Sequence, residues 1–213
     1  HSHKDWDDSF ANQRNFNFSQ VPSGYDYICW ADSDDVIINA PRLLDIAKIS
    51  KKRGLDAVFF TYWYGNEFDG IPSVETFKKV EIKQMRERLL RPNSIVWKKR
   101  LHESPVPIDG EHYTYSSVNY SEEYPITWMH LGADRNISDE RMKKRMDRNR
   151  RLLEMDLADE RHLGEVDPRT LLYLMKIYAE DTDENTLREC IKMGEEYMVK
   201  SGWDEERATC CKL

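Results

Sequence analysis

A strand, helix, strand pattern over residues 25–64 constrains the fold of this chain more than any other feature. Residues 25–31 are rich in β-forming side chains, which predicts a buried strand. Pro41 suits the first turn of a helix and Gly54 suits the left-handed position that follows the last turn, so we expect a helix between them. Residues 56–64 are mostly aromatic and β-branched and predict a second buried strand. Two strands joined by a crossover helix are typical of α/β proteins.

Shorter elements are expected around this unit. Residues 93–98 and 126–131 are short apolar segments and predict two further strands. Residues 65–83 and 101–119 are dominated by turn-forming residues and predict loops. The first 20 residues are polar and aromatic without a helix or strand period, so no element is predicted there.

The C-terminal part of the chain is predicted to be entirely helical. Ser138 is a suitable N-cap for a long helix, Asp167 followed by proline restarts a second helix, and residues 184–200 supply a third. The helix and turn period approaches that of tetratricopeptide repeats, although the segment is too short for an array of them. We therefore expect an α/β domain over residues 1–136 and a helical extension over residues 137–213.

The composition excludes several classes of function. The 213 residues are 39% hydrophobic and 33% charged, and the formal net charge is -7. Because a negative chain repels phosphate backbones, we expect no nucleic-acid partner. No segment approaches the roughly 18 apolar residues of a membrane span and no apolar signal core is visible, so we expect a cytoplasmic protein with no transmembrane segment. The four cysteines form no Cys-x-x-Cys pair, which favours free thiols.

An acidic cluster follows the first predicted strand and is the strongest candidate for chemistry. Residues 32–35 read Asp-Ser-Asp-Asp. Open α/β sheets bind ligands at the carboxyl ends of their strands, and carboxylate oxygens are the ligands that Mg²⁺ and Mn²⁺ prefer. Such an ion would neutralise a diphosphate leaving group. The alternative interpretation is an acidic turn that caps the next helix.

Further motifs flank the acidic cluster in a characteristic order. Asp-Asp-Ser-Phe at residues 7–10 and Arg14-Asn15 precede it; Arg-Glu-Arg-Leu-Leu-Arg at residues 86–91, Trp97 and His102-Glu103 follow it. In this order they resemble family 2 glycosyltransferases of the GT-A fold, in particular bacterial members in which a helical, tetratricopeptide-like extension follows the catalytic domain. The resemblance spans residues 5–132. It implies a partial GT-A-like α/β domain with a Rossmann-like mixed sheet, followed by an α-helical region.

The resemblance implies a divalent-metal-dependent transfer of a sugar, with inversion, from a nucleotide-diphosphate sugar to a hydroxyl acceptor. It puts Arg14 and Asn15 beside the donor phosphates and Asp32 on the ribose or sugar of the donor. Asp34, with Asp32 and a late histidine, His130, would hold Mn²⁺ or Mg²⁺. The alternatives are a surface cation for Arg14 and a core histidine for His130. Asp35 would assist the ion or only orient the turn.

The acceptor side of such a reaction requires a base. Displacement at an anomeric carbon with inversion needs a carboxylate that removes the proton of the acceptor hydroxyl as the new bond forms. The resemblance puts Glu103 in this role, with His102 orienting it or contacting the acceptor. Both could instead be ordinary structural or surface residues. The acceptor would be a saccharide, a lipid-linked glycan or a protein.

One departure from the resemblance leaves other functions open. A GT-A domain begins with a strand and helix unit that grips the nucleotide base, and no such unit precedes Asp5. The chain is therefore expected to be an N-terminally incomplete catalytic region. The alternative is a noncatalytic binding or scaffold module, a degenerate GT-A remnant whose helical tail binds a protein partner. Metal-dependent phosphoester hydrolysis is a third hypothesis, but the additional ligands for a second metal are not identifiable.

Overall fold

The computed structural model is a mixed α/β structure, which confirms the expected fold class at this level. It describes residues 4–64, 82–110, 113–119, 121, 123, 125–131 and 138–213. Within these residues the helices are α1 (Phe10–Ser19), α2 (Arg42–Arg53), α3 (Asp139–Leu163), α4 (Pro168–Tyr178), α5 (Glu184–Lys200) and α6 (Asp204–Cys210). The strands are β1 (Ile28–Cys29), β2 (Asp35–Ile38), β3 (Ala57–Tyr64), β4 (Ile82–Leu90), β5 (Ile95–Lys98), β6 (Ser104–Pro107), β7 (Tyr115–Val118) and β8 (Thr127–His130).

The main sheet is mixed and is built around β3. Its strand order is β1-β4-β3-β8-β2, and β7 also pairs with β3. β3 pairs antiparallel with β4 on one side, and on the other it pairs parallel with β7 along its first half and with β8 along its second half. β1 pairs antiparallel with β4 and β2 pairs antiparallel with β8. β5 and β6 form a separate antiparallel ribbon.

The central strand is buried, and its side chains pack in the core of the sheet. Phe60 and Tyr62 pack in one cluster with Trp128 of β8 and Leu89 of β4. The rings of Phe60 and Trp128 lie 4.7 Å apart between centroids. α2 contributes Ile46 to the same cluster. Burial of these large apolar surfaces explains why the aromatic segment of β3 forms a strand inside the sheet.

Local signals predicted several elements correctly. α2 begins after Pro41, and Gly54 ends it with a φ of 69°, in the left-handed conformation that glycine adopts without strain. The strands expected over residues 93–98 and 126–131 are confirmed as β5 and β8. The loop expected over residues 65–83 lies almost entirely outside the described residues.

Other expectations require correction. The strand expected over residues 25–31 is reduced to Ile28–Cys29, because only these two residues pair with β4. α1 occupies a segment for which no element was predicted, since its asparagines and aromatic residues form no apolar stripe. Residues 101–119, expected to be turns, contain β6 and β7. The two prolines of β6 and the two serines of β7 are poor strand signals.

The described residues divide into two compact units. The first comprises those within residues 1–4, 13–98 and 104–137, and the second those within residues 5–12, 99–103 and 138–213. The segments 5–12 and 99–103 group with the C-terminal helices, which no local pattern in the sequence predicts. The second unit is therefore assembled from three separate parts of the chain.

The second unit is a helical core with capped helix ends. Leu152, Leu171 and Tyr197 are fully buried in it, and Leu101 from the segment 99–103 belongs to the same cluster. The side chains of three residues accept hydrogen bonds from the first turns of α3, α4 and α5; they are Ser138, Asp167 and Asp183. The caps predicted at Ser138 and Asp167 are confirmed. Among the described helices, we find none with the length and apolar character that a membrane crossing requires.

Candidate metal and phosphate site

The acidic cluster forms a tight turn between β1 and β2 in the first unit. The main-chain N–H of Asp35 donates to the carbonyl of Asp32 at 3.0 Å. In return, the main-chain N–H of Asp32 donates to Oδ2 of Asp35 at 3.0 Å. The turn is thus closed by two hydrogen bonds between its first and last residues. This geometry holds the intervening Asp34 at the tip of the turn.

Asp35 is the residue on which the neighbouring strands converge. Its side chain is 0% exposed, and its Oδ2 lies 3.1 Å from Nη2 of Arg88 in β4. Tyr62 of β3 donates its hydroxyl to Oδ1 at 2.5 Å. Nδ1 of His130 in β8 lies 3.3 Å from the same Oδ1, as expected from the register that pairs Asp35 with His130. The carboxylate of Asp35 is thus in contact with side chains from three strands, β3, β4 and β8, and its two expected roles stay predictions.

The surroundings of Asp35 keep it ionised. Burial alone would raise the pKa of the Asp35 carboxyl, but the hydrogen bonds from His130 and Tyr62 and the charge of Arg88 outweigh burial and lower it. The pKa of the Tyr62 hydroxyl is raised by burial and by its hydrogen bond to Asp35. Both shifts favour a neutral Tyr62 hydroxyl that donates to an ionised Asp35.

Asp34 and His130 form the accessible part of the site. Nδ1 of His130 lies 3.6 Å from Oδ1 of Asp34, and the two side chains are 28% and 29% exposed. The hydrogen bond to Asp35, supported by the charge of Asp34, raises the pKa of His130 although burial opposes this. One ligand atom each from Asp34, Asp35 and His130 lies within 4.8 Å of the others. We call these three residues the ligand group.

The ligand group fits a divalent cation in its chemistry. Carboxylates are the ligands of Mg²⁺ and Mn²⁺, and an imidazole nitrogen is more acceptable to the transition metal than to Mg²⁺. Asp34 and His130 are reachable from solvent, whereas Asp35 is buried and already accepts hydrogen bonds at both oxygens. Asp34 and His130 are thus the residues that would hold an ion, with Asp35 behind them.

Asp32, expected on the donor and the ion, is held by two arginines. Its Oδ1 lies 3.3 Å from Nη2 of Arg14, and its Oδ2 lies 3.5 Å from Nη2 of Arg88. The guanidinium carbons of Arg14 and Arg88 also lie 3.8 Å and 3.6 Å from the centroid of the Trp30 ring. Arg14 and Asp32, both predicted donor-binding residues, are therefore in direct contact with one another.

Asn15, the other residue expected at the donor, is engaged elsewhere. Its amide nitrogen donates to the carbonyl of Trp97 at 2.9 Å, and its amide oxygen accepts from the N–H of Trp97 at 2.9 Å. This pair of bonds fastens α1 to β5. A contact between Asn15 and a donor would have to replace one of them.

His102 and Glu103, expected to act on the acceptor, belong to the second unit. His102 is exposed, has a φ of 56° and stacks on Tyr173 of α4 with 3.8 Å between ring centroids. Glu103 is half-buried. The roles of these two residues towards an acceptor stay predictions.

Sequence reasoning missed Tyr62 and Arg88 as parts of the site. Arg88 is one of three arginines in the segment 86–91 and has no local signal that distinguishes it, and Tyr62 lies inside an aromatic strand that is typical of a core. Strand alternation could have put Tyr62 and Tyr64 on one face of β3, but only the pairing of β3 with β8 brings that face to His130. This information is not local in sequence.

Comparison with known proteins assigns no family to the chain. No protein-family model matches it, and the search of curated proteins finds no match.

Proposed function

We propose that the protein is a glycosyltransferase that binds a nucleotide-diphosphate sugar through a divalent ion and transfers the sugar, with inversion, to a hydroxyl acceptor. The observation that carries this proposal is the ligand group, in which Asp34 and His130 face solvent beside the buried carboxylate of Asp35. A bound ion would supply charge neutralisation of the diphosphate leaving group. The order of motifs around the turn supports the sugar-nucleotide as the ligand.

The charge balance around the turn supports binding of an anion together with a cation. Asp32 and Asp35 are paired with Arg14 and Arg88, so the carboxylate of Asp34 is the negative charge that these arginines leave unpaired. A divalent cation on Asp34 would make the local charge positive. A positive site attracts a diphosphate although the chain as a whole carries a net charge of -7.

The residues of the turn have distinct parts in this proposal. Arg14 is partly exposed, and its guanidinium, which lies 3.3 Å from Asp32, is proposed to donate to phosphate oxygens. Asp35 accepts a hydrogen bond from His130 and thereby fixes the orientation of the imidazole. Glu103 is proposed as the base that takes the proton of the acceptor hydroxyl. The acceptor oxygen would then form the new bond to the anomeric carbon as the diphosphate leaves with the electrons of the old one.

Binding and turnover test the proposal separately. Mn²⁺ together with uridine or guanosine diphosphate should raise the melting temperature of the protein, and Asp34→Asn should abolish that rise. Asp45→Asn is the matched control, because Asp45 is an exposed carboxylate of α2 in the same unit. A rise that is unchanged in Asp34→Asn, or no rise with either nucleotide, would contradict the proposed site and would favour the noncatalytic binding module.

The base is tested by product release from the donor. Nucleotide diphosphate released from a sugar nucleotide should fall at least about 100-fold in Glu103→Gln, because general-base catalysis contributes about 10²–10⁴-fold. Donor binding should be retained in that variant. Normal turnover by Glu103→Gln would remove Glu103 from the mechanism while leaving the donor site intact.

A further inference from the structure

Arg88 is a buried cation with two donor atoms that have no partner among the described residues. Its side chain is 1% exposed, and only Nη2 has carboxylate partners, Asp32 and Asp35. Nε and Nη1 are buried without a hydrogen-bond partner among the described residues. The guanidinium carbon lies 3.6 Å from the Trp30 centroid and 4.5 Å from that of Tyr62, so the two rings compensate part of its charge.

Burial of a guanidinium with two unsatisfied donor atoms is unfavourable for stability. An ion pair of this kind is often no more stable than a well-packed apolar side chain of similar size. Buried donors without a partner call for an explanation other than stability, and incompletely satisfied groups occur at functional sites. The partners of Arg88 are two of the three carboxylates of the acidic turn. The burial of Arg88 is therefore connected with the geometry of the acidic turn.

We infer that Arg88 is the positioning residue of the acidic turn: it holds Asp35 so that Oδ1 faces His130, and it holds Asp32 beside Arg14. This inference rests on the proposed function and assigns a further residue to the same site. The contacts on Asp35 are divided between its oxygens. Arg88 and the N–H of Asp32 engage Oδ2, whereas Tyr62 and His130 engage Oδ1.

Without Arg88 this division would be lost. Oδ2 would retain the single hydrogen bond from the turn, and the carboxylate would be free to rotate away from His130. His130 would then lose its fixed partner and Asp34 its fixed neighbour. Loss of such supporting contacts typically weakens metal binding by about 10–100-fold.

A positioning role and a purely electrostatic role of Arg88 predict opposite changes in cation affinity when Arg88 is replaced with methionine. If Arg88 acted only as a nearby positive charge, replacing it with methionine would strengthen the binding of a cation, and lysine would leave it unchanged. If Arg88 positions the turn, both replacements weaken binding. Lysine retains the charge but replaces the planar guanidinium, which packs against the Trp30 ring, with a compact ammonium on a flexible stem that is not fixed between the two carboxylates.

The experiment measures the dissociation constant of Mn²⁺ from the free-ion electron paramagnetic resonance signal, with the full chain and saturating uridine diphosphate. We expect Arg88→Met and Arg88→Lys each to weaken Mn²⁺ binding by about tenfold or more. Arg91→Met is the control, because it removes the same charge at a partly exposed residue that directly follows the same strand and is paired with Asp56. It should leave the constant within about twofold.

Each outcome decides between explanations. Arg88→Met could fail to fold, since it leaves Asp35 without its cation, and Arg88→Lys then provides the measurement. An unchanged constant in folded Arg88→Lys, or tighter binding in Arg88→Met, would overturn the inference while the proposed site stands. Loss of folding in both variants would assign Arg88 to the fold and overturn it as well. Absence of Mn²⁺ binding in the unaltered protein would refute the proposed function itself.

Discussion

Among single residues, Tyr62 contributes one hydroxyl that donates a hydrogen bond to Asp35 of the acidic turn. It donates to a carboxylate that is fully buried and that also faces Arg88 and His130. A hydrogen bond to a charged, buried acceptor contributes more to stability than one between neutral groups. These contacts connect Asp35 of β2 with side chains of β3, β4 and β8, so they contribute to the stability of the sheet.

Removal of this hydroxyl should destabilise the protein. Tyr62→Phe leaves Oδ1 of Asp35 with one donor fewer, so the free energy of unfolding should fall by about 1–3 kcal/mol. Urea unfolding followed by circular dichroism measures the change. Tyr25→Phe is the control, because Tyr25 is 63% exposed, and it should change the free energy by less than about 0.5 kcal/mol. Equal effects of the two substitutions would show that the hydrogen bond to Asp35 is energetically unimportant.

At the scale of elements, the helix caps couple stability to pH. Asp167 accepts from the N–H of Arg169 at 2.8 Å at the start of α4, and its other oxygen lies 3.0 Å from Nζ of Lys99. Burial would raise the pKa of Asp167, but these hydrogen bonds and the charge of Lys99 lower it. The carboxylate form is thus favoured in the folded state over the unfolded one.

The sign of the resulting pH dependence follows from this lowered pKa. The stability that Asp167 contributes is present above the unfolded pKa, about 3.9, and is lost as the pH falls through the folded pKa. Asp167→Asn retains a cap but not the charge. The unfolding free energy of the unaltered protein should therefore fall more steeply below about pH 4 than that of Asp167→Asn. Parallel pH profiles in urea unfolding would contradict the role of this carboxylate.

Elements differ in how far the sequence predicts them. α2 and the caps of α3 and α4 depend on residues a few positions apart, so their signals are local and the predictions were correct. β4 escaped prediction because its charged residues, among them Glu87 and Arg88, lie buried in the sheet. The meeting of Asp34 with His130 was expected from the resemblance alone. Its physical cause is the pairing of β2 with β8, which no local pattern encodes.

At the scale of the whole molecule, the second unit is discontinuous in sequence. Leu101 belongs to the buried core of the C-terminal helices, and Phe10 packs against it. The main-chain N–H of Arg100 and its guanidinium both donate to Asp156 of α3, in each case at 2.9 Å. A domain boundary placed at a single point in the sequence therefore separates the C-terminal helices from residues that belong to their buried core.

A fragment of the helical region should reveal this dependence. Residues 138–213 expressed alone lack Leu101 and Phe10 and leave Asp156 without Arg100, so the fragment should melt at a lower temperature than the helical signal of the full chain. The loss of one buried leucine alone corresponds to about 2–5 kcal/mol. Circular dichroism at 222 nm provides the comparison. Equal melting temperatures would mean that the segments 5–12 and 99–103 add nothing to the helical core.

If one site binds a cation and a diphosphate together, each ligand should strengthen the binding of the other. Isothermal titration calorimetry with uridine and guanosine diphosphate, with and without Mn²⁺, measures this coupling. Mn²⁺ should tighten binding of at least one nucleotide diphosphate by about tenfold, or about 1.4 kcal/mol, and the gain should be lost in Asp34→Asn and kept in Asp45→Asn. Equal tightening in both variants, or no nucleotide binding with Mn²⁺ present, would contradict a shared site.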